Sequence, residues 1–560
     1  AAQGAVIDGE CSSITIGGTA RIPTATAPTG SRTIKPPLSG TYTVAATGAN
    51  YTTLSEICSD ISGVGMTGNV NISVAGSITE TNTINLSTPP TGASYTITIK
   101  PATGTNPVVT FNHTSTAFIV NGINNLTIDG SNAIGGTTKN LTFNHTGVAS
   151  TAHVLFLNGS ISPVIKNCKL NAGANTDAGI GLVLSGVSNP LVQNNEISRA
   201  MTGIWIQNAT TGAQILNNII GSTTAGYQVQ LYGIRLLGSG ALVPSGYTVS
   251  GNTINGMSNS SANIMTGISL SAVGAGVIEK NKIMNISNTT TLTDGSLKVK
   301  GFECLSSTST IMIRNNYLSG LSSTNSTNNT IVGILVNACT SLYLEHNTFA
   351  MGSNCTASTF NIGVFLAASS GLYFRNNIIS NESSTSNKYL YYASSLTTSP
   401  FAEISGNVYN STGSAFSLFN STSQASLSAW SIALGTGAEV NSNSKLPAFA
   451  ALGDPHLGSA MVGDVEMIKP ILSTVLQDID GETRTAELNY AGCDIVNPSY
   501  TINQNLPASL IACKDNSYSM AVNATVSGFA DGISRLPLPT ASYTWKKNGL
   551  DIPTQAGITV

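Results

Sequence analysis

Eight times the chain returns to one phrase, apolar-x-x-Asn-x-apolar. It reads VQNNEI at 192, ILNNII at 215, VSGNTI at 249, IEKNKI at 278, IRNNYL at 313, LEHNTF at 344, FRNNII at 374 and ISGNVY at 404. IKNCKL at 165 has the same form with Cys168 in the asparagine place. The aligned residues are Asn195, Asn218, Asn252, Asn281, Asn316, Asn347, Asn377 and Asn407, spaced by 23, 34, 29, 35, 31, 30 and 30 residues. A second phrase, Gly-apolar-x-apolar, alternates with the first: GIWI at 203, GIRL at 233, GISL at 267, GFEC at 301, GILV at 333 and GVFL at 363. Each repeat therefore holds two or three short strands with period-two alternation. One such unit cannot bury its own apolar face, whereas stacked units share a continuous core. The pattern predicts an all-β parallel β-helix, with loops of unequal length leaving one side. No amphipathic helical stretch of useful length is apparent.

Asparagine is a poor strand residue, so its recurrence needs a physical reason. Equivalent positions in successive coils lie about 4.8 Å apart. Asparagine tolerates the left-handed backbone of a tight turn. Its amide both donates and accepts, so a column of asparagines can bond along the stack. His346 replaces an asparagine in its phrase and is expected in the same turn column.

Only 9% of the residues are charged and the net charge is -3, which provides no basic field for nucleic acid. No apolar run approaches the roughly 18 residues of a membrane helix. Ala1 does not begin a signal peptide. None of the eight cysteines forms C-x-x-C, so neither a zinc ribbon nor a thioredoxin-like motif is indicated. Cys339 and Cys355 could pair across a loop; the others read as small buried apolar residues.

The G-I-x-L and N-N-x-I phrases resemble the right-handed parallel β-helix repeat superfamily. From Gly40, "SGTYTVAATGANYTTLSEICSDISGVGMTGNVNISVAGSITE" resembles the opening of large β-helix proteins exported by the type IX secretion system of Bacteroidota. "DIDGETR" at 478 is similar to their closing motif, although "AGCDIV" stands where a Gly-Ala-Asp-Glu-like string usually follows. "LIACKDNSYSMAVNATVSGF" and "SYTWKKNGLDIP" resemble the first half of an immunoglobulin-like module, with Cys513 and Trp545 as its core pair. The domains expected are an N-terminal segment and Thr/Pro-rich linker or cap (1–39), a parallel β-helix (40–500) and an incomplete Ig-like module (501–560). The resemblance implies a piece of a longer extracellular, cell-surface protein.

β-Helices host many polysaccharide lyases and glycoside hydrolases, which need paired carboxylates about 5–10 Å apart. The repeat region offers Asp177, Glu196, Glu279, Asp294, Glu303, Glu345, Glu382 and Glu403, with no Asp-Asp or Asp-x-Asp. Glu279, Arg314, Glu345 and Arg375 stand two residues before consecutive aligned asparagines and point outward by alternation. They predict an alternating-sign ladder, a structural role. Asp478, Asp480 and Glu482 suggest turn capping, because Asn489 stands where an EF-hand loop requires glutamate. No catalytic residue, cofactor or metal site is nominated.

Candidate binding residues are outward-facing and shared between coils: Tyr343 with Tyr373, and Leu335 with Phe365. Trp205 and Arg235 share another column and are placed to stack. The function expected is a non-catalytic extracellular solenoid, an adhesin or rigid spacer with surface glycans or other cell-surface proteins as partners. The alternatives are a polysaccharide lyase or glycoside hydrolase, and a self-associating filament or sheath subunit.

Overall fold

The computed structural model describes residues 35–497, apart from 148–151, 174–178, 291–296, 324–329, 354, 356–359 and 384–386, plus short terminal strands. The chain is a right-handed parallel β-helix of about twelve turns. Three sheets of 13 strands each form its walls. Sheet I runs from Leu38–Val44 to Phe401–Ser405, sheet II from Ile78–Glu80 to Asn443–Ser444, and sheet III from Ile84–Ser87 to Thr422–Gln424. One coil contributes Thr330–Asn337 to sheet III, Leu342–Glu345 to sheet I and Thr348–Met351 to sheet II. Its strands pair in parallel with the matching strands of the next coil, for example Leu344 with Phe374.

The corner between sheets I and II divides two jobs between adjacent residues. The left-handed residue is the one before each aligned asparagine: Asn315, His346 and Asn376 have φ of 51°, 52° and 55°. The aligned asparagine points inward, and all eight are fully buried. Asn347 is typical. Its backbone N–H and its Nδ2 both donate to Asn377 Oδ1, at 2.9 and 3.1 Å, and Nδ2 also donates to Ile313 O at 2.7 Å. Its own Oδ1 accepts from Asn316 N and Nδ2, at 3.0 and 2.9 Å. The same bonds repeat from Asn195 to Asn407. Cys168 N donates to Asn195 Oδ1 at one end, and Asn407 N donates to Ser442 Oγ at the other.

The glycine of the second phrase has a steric cause. A Cβ built on Gly333 would lie 2.5 Å from Gly363 O; on Gly267 it would lie 2.7 Å from Gly301 O. Those oxygens belong to the next strand of sheet III, and the Gly267 Cβ would also lie 2.7 Å from Ile283 Cγ2 of sheet II, so the next coil and the facing sheet both crowd this column and any larger residue would push them apart.

Contrary to expectation, an amphipathic helix is present at Leu54–Val64. Thr53 and Glu56 form a capping box, the S/T-x-x-E signature of a helix start. The helix buries Leu54, Ile57, Cys58 and Ile61 over the N-terminal end of the core. A second helix, Leu427–Leu434, closes the other end with Trp430, which stacks on Tyr391 at 4.9 Å. Tyr409 and Trp430 both donate to the buried Glu439 carboxylate. The coils end at Ser444, and residues 445–497 turn back along the outside of the coils. Within 40–500 there is thus a solenoid followed by a covering segment.

Among the described residues the six cysteines are buried and unpaired. Cys339 does not face Cys355: its Sγ lies 3.2 Å from Cys304 Sγ, in the preceding coil, while Cys355 Sγ accepts from Leu321 N. Cys11, Cys513 and Trp545 lie outside the described residues, as do Asp177 and Asp294. No described helix is long and apolar enough to cross a membrane.

Candidate functional site

The outer face of sheet I carries two side-chain columns. One runs Val277, Met312, Tyr343, Tyr373 and Glu403; the other runs Glu279, Arg314, Glu345 and Arg375. In the second column Arg314 Nε meets Glu279 Oε2 at 2.8 Å, and Arg375 pairs with Glu345 and, at 3.2 Å, with Glu403. The ion pairs join Glu279 to Arg314 and Glu345 to Arg375, rather than running without a break. Between them Arg314 Nη1 turns to Thr474 O at 2.5 Å, and Thr474 Oγ1 donates to Glu345 Oε2 at 2.8 Å. Both oxygens of Glu345 are engaged and its side chain is only 1% exposed.

The cover explains that burial. Residues 445–497 lie over the corner residues of coils 94 to 169 positions earlier in the chain. Asn315 Nδ2 donates to Gln477 O, Asn376 Nδ2 to Pro470 O, and Arg484 Nη2 to Asn315 Oδ1. His346 Nδ1 lies 3.1 Å from Tyr490 O. Burial, reinforced by the Arg484 charge, holds the His346 pKa well below its usual value. The left-handed corner residues thus aim their side chains outward, where they hold the cover.

Where the cover leaves sheet I, a cavity of about 680 Å³ opens. Ser250, Glu279, Lys280, Arg314 and Asn315 line one wall, and Ser473–Gln477 with Thr483 line the other. Apart from Val475 and Leu476 these side chains are able to donate or accept hydrogen bonds, and the Glu279 and Arg314 charges already neutralise each other.

Tyr343 and Tyr373 lie on the same face as this cavity. Their rings stack at 4.4 Å with 1° between planes, and Arg375 lies 5.9 and 5.7 Å from the two ring centroids. Burial, with Tyr373 adding to it, raises the Tyr343 pKa. Because the rings face each other along the stack, they present edges and hydroxyls sideways. Leu335 and Phe365 are paired on sheet III, a different wall, so the structure does not bring the four candidates together. Phe365 has company that the repeat phrase conceals: Tyr392 stacks on it at 5.2 Å, with Phe360 and Tyr389 adjoining Tyr392. In that coil Leu390 follows where the preceding coil has Gly363, so the phrase is lost and only the tyrosine-rich KYLYYA betrays the patch. Arg235 lies 4.9 Å from the Trp205 ring and 4.6 Å from that of Tyr232.

Among the described residues the acids offer no unengaged pair on this face. General acid catalysis at a sugar needs a carboxyl held protonated near the working pH. Here Glu279, Glu345 and Glu403 each meet a guanidinium. Glu303 is buried on sheet III between Lys300 and Ser269, and Glu382 is bonded to Ser380 and Asn410. In the cover, Asp478 Oδ1 accepts from Asp480 N and Glu482 N at 3.0 and 2.8 Å, as a turn cap does.

No family model and no curated protein matches the chain. Solved structures do. XylC in complex with xylose aligns at TM-score 0.41 and 11% identity, over 73% of this chain and 87% of its own. PfbA, a surface adhesin of Streptococcus pneumoniae, aligns at 0.38 and 12%, over 65% and 86%. The Dettilon tailspike protein aligns at 0.32 and 12%, over 66% of this chain; this chain spans only 62% of the tailspike. These likenesses concern the fold alone.

Proposed function

We propose that this chain is a non-catalytic extracellular solenoid of a modular cell-surface protein, serving as adhesin or rigid spacer, and that it holds a glycan in the cavity between sheet I and the cover. One observation supports this above others: a cavity of about 680 Å³ lined by hydroxyl, amide and charged side chains, whose carboxylate is already neutralised by a guanidinium. Such a lining can satisfy many sugar hydroxyls without an acid free to protonate a glycosidic oxygen. The Tyr343/Tyr373 edges extend the same wall toward the C-terminal coils. The filament alternative has less support, since a helix covers each end of the core. It would need a lateral contact.

The test is a glycan-array binding assay run beside polysaccharide turnover. Thr483→Ala and Lys280→Ala, on opposite walls, are expected to weaken capture of the selected glycan by about tenfold each, roughly the 1.4 kcal/mol of a hydrogen bond. Turnover that disappears in Glu279→Gln would overturn the non-catalytic reading. Binding unchanged in both wall variants would remove the glycan from this cavity.

A further inference from the structure

The cover carries a cluster that neither the ladder nor the cavity uses. Three chain segments meet there: residues 454–457, 478–482 and 492–495. Ile479 N donates to Cys493 O at 2.8 Å, and Leu457 N donates to Asp494 Oδ2 at 2.7 Å, so one backbone bond and one backbone-to-carboxylate bond hold the segments together. Ligand atoms of His456, Asp480 and Asp494 lie within 4.8 Å of one another.

Two further features point to a ligand. The His456 ring is already oriented: Asp454 Oδ1 engages Nδ1 and also accepts the His456 backbone N–H, leaving Nε2 toward Asp480 Oδ2 at 2.8 Å. A carboxylate on one ring nitrogen with the other directed at an acidic position is the outer-shell arrangement of metal-binding histidines. Second, Asp494 is only 3% exposed, and among the described residues its carboxylate is given one hydrogen bond, from Leu457 N. Neither Asp480 nor Asp494 pairs with a lysine or arginine in the described chain. The nearby Arg484 spends its donors on Gln477 O, Tyr490 O, Gly492 O and Asn315 Oδ1. Among the described residues His456 is the one cationic group these carboxylates share, and a buried carboxylate so sparsely compensated is costly.

We infer that His456, Asp480 and Asp494 form a site for a first-row divalent transition ion of the zinc type, which clasps the three segments of the cover. One imidazole and two carboxylates suit such an ion better than calcium, which prefers oxygen alone. His456 and Asp480 have side chains 44% and 42% exposed, so the bound ion has access to water for its remaining positions.

The probe is cobalt(II) titrated into the whole chain, followed by visible absorption, with zinc competition. The expected result is about one ion per chain, with d–d bands, no thiolate charge-transfer band and displacement by zinc. His456→Gln and Asp480→Asn should each weaken cobalt binding on the order of a hundredfold, while hydrogen exchange confirms that the coils stay folded. Absence of binding, a thiolate band from the buried cysteines, equal binding by the folded variants, or preference for calcium would each overturn the proposal.

Discussion

Removing one inner rung of the asparagine ladder should expose its worth. In Asn347→Ala one buried donor loses its acceptor, and one strand carbonyl loses the second of its donors. Asn316 N–H loses Asn347 Oδ1, and Ile313 O loses Asn347 Nδ2. Asn316 Nδ2 keeps Ile278 O and Arg314 O, and Asn377 Oδ1 keeps the Asn347 backbone N–H. Each buried group left unsatisfied costs about 1–3 kcal/mol. One such group and the small void place the loss at about 2–4 kcal/mol. A long solenoid need not unfold in one step, so a global melting curve would dilute the effect. Amide hydrogen exchange reads it locally. At about 1.4 kcal/mol per decade, exchange across residues 313–317 should accelerate by about one to three orders of magnitude. Asn347→Asp should be worse, because a carboxylate oxygen would face Ile313 O and Asn377 Oδ1. Asn121→Ala, at an exposed position, should shift exchange by less than about fivefold. Protection unchanged in Asn347→Ala would show that the ladder is a consequence of stacking and not a cause of it.

Gly333→Ala, whose Cβ would meet Gly363 O at 2.5 Å, should cost about 1–3 kcal/mol in thermal unfolding. Stability should also fall with pH at the cover. His346 has a depressed pKa in the folded chain, so below about 6.5 the unfolded state binds a proton that the folded state does not. The stabilisation is therefore complete above that value and declines as pH falls toward the folded pKa. Hydrogen exchange of residues 484–493 should rise over this range, and less so in His346→Asn. Arg375→Met leaves Glu345 buried without its cation and should destabilise by about 3–5 kcal/mol. Adding Glu345→Gln should recover most of the loss; no recovery in a double-mutant cycle would refute the pairing.

The repeat determined the coil by itself. Period-two alternation, a glycine where two sheets nearly touch and an asparagine at each corner are local demands, repeated at every turn, and any stacked arrangement must meet them at matching places. The first cap was legible in principle, since Thr53 and Glu56 have capping-box spacing, but one short helix is outweighed by hundreds of strand residues. The pairing of Glu279 with Arg314 and of Glu345 with Arg375 also follows from equal offsets within consecutive repeats. What sequence could not determine is what happens outside the coils. Alternation states only that Glu345 and the corner residue His346 leave the core. It does not say whether water or protein lies beyond. Tertiary structure decided that, by laying residues 445–497 over coils that precede them by 94 to 169 positions. The cover has no repeat to register it; it is held by a small apolar core shared with Ile378, Val408, Tyr317 and Ala350 and by hydrogen bonds to side chains and single carbonyls. Folding alone turned an outward charge into a buried one, opened the cavity beside it and brought Asp454, His456, Asp480 and Asp494 together.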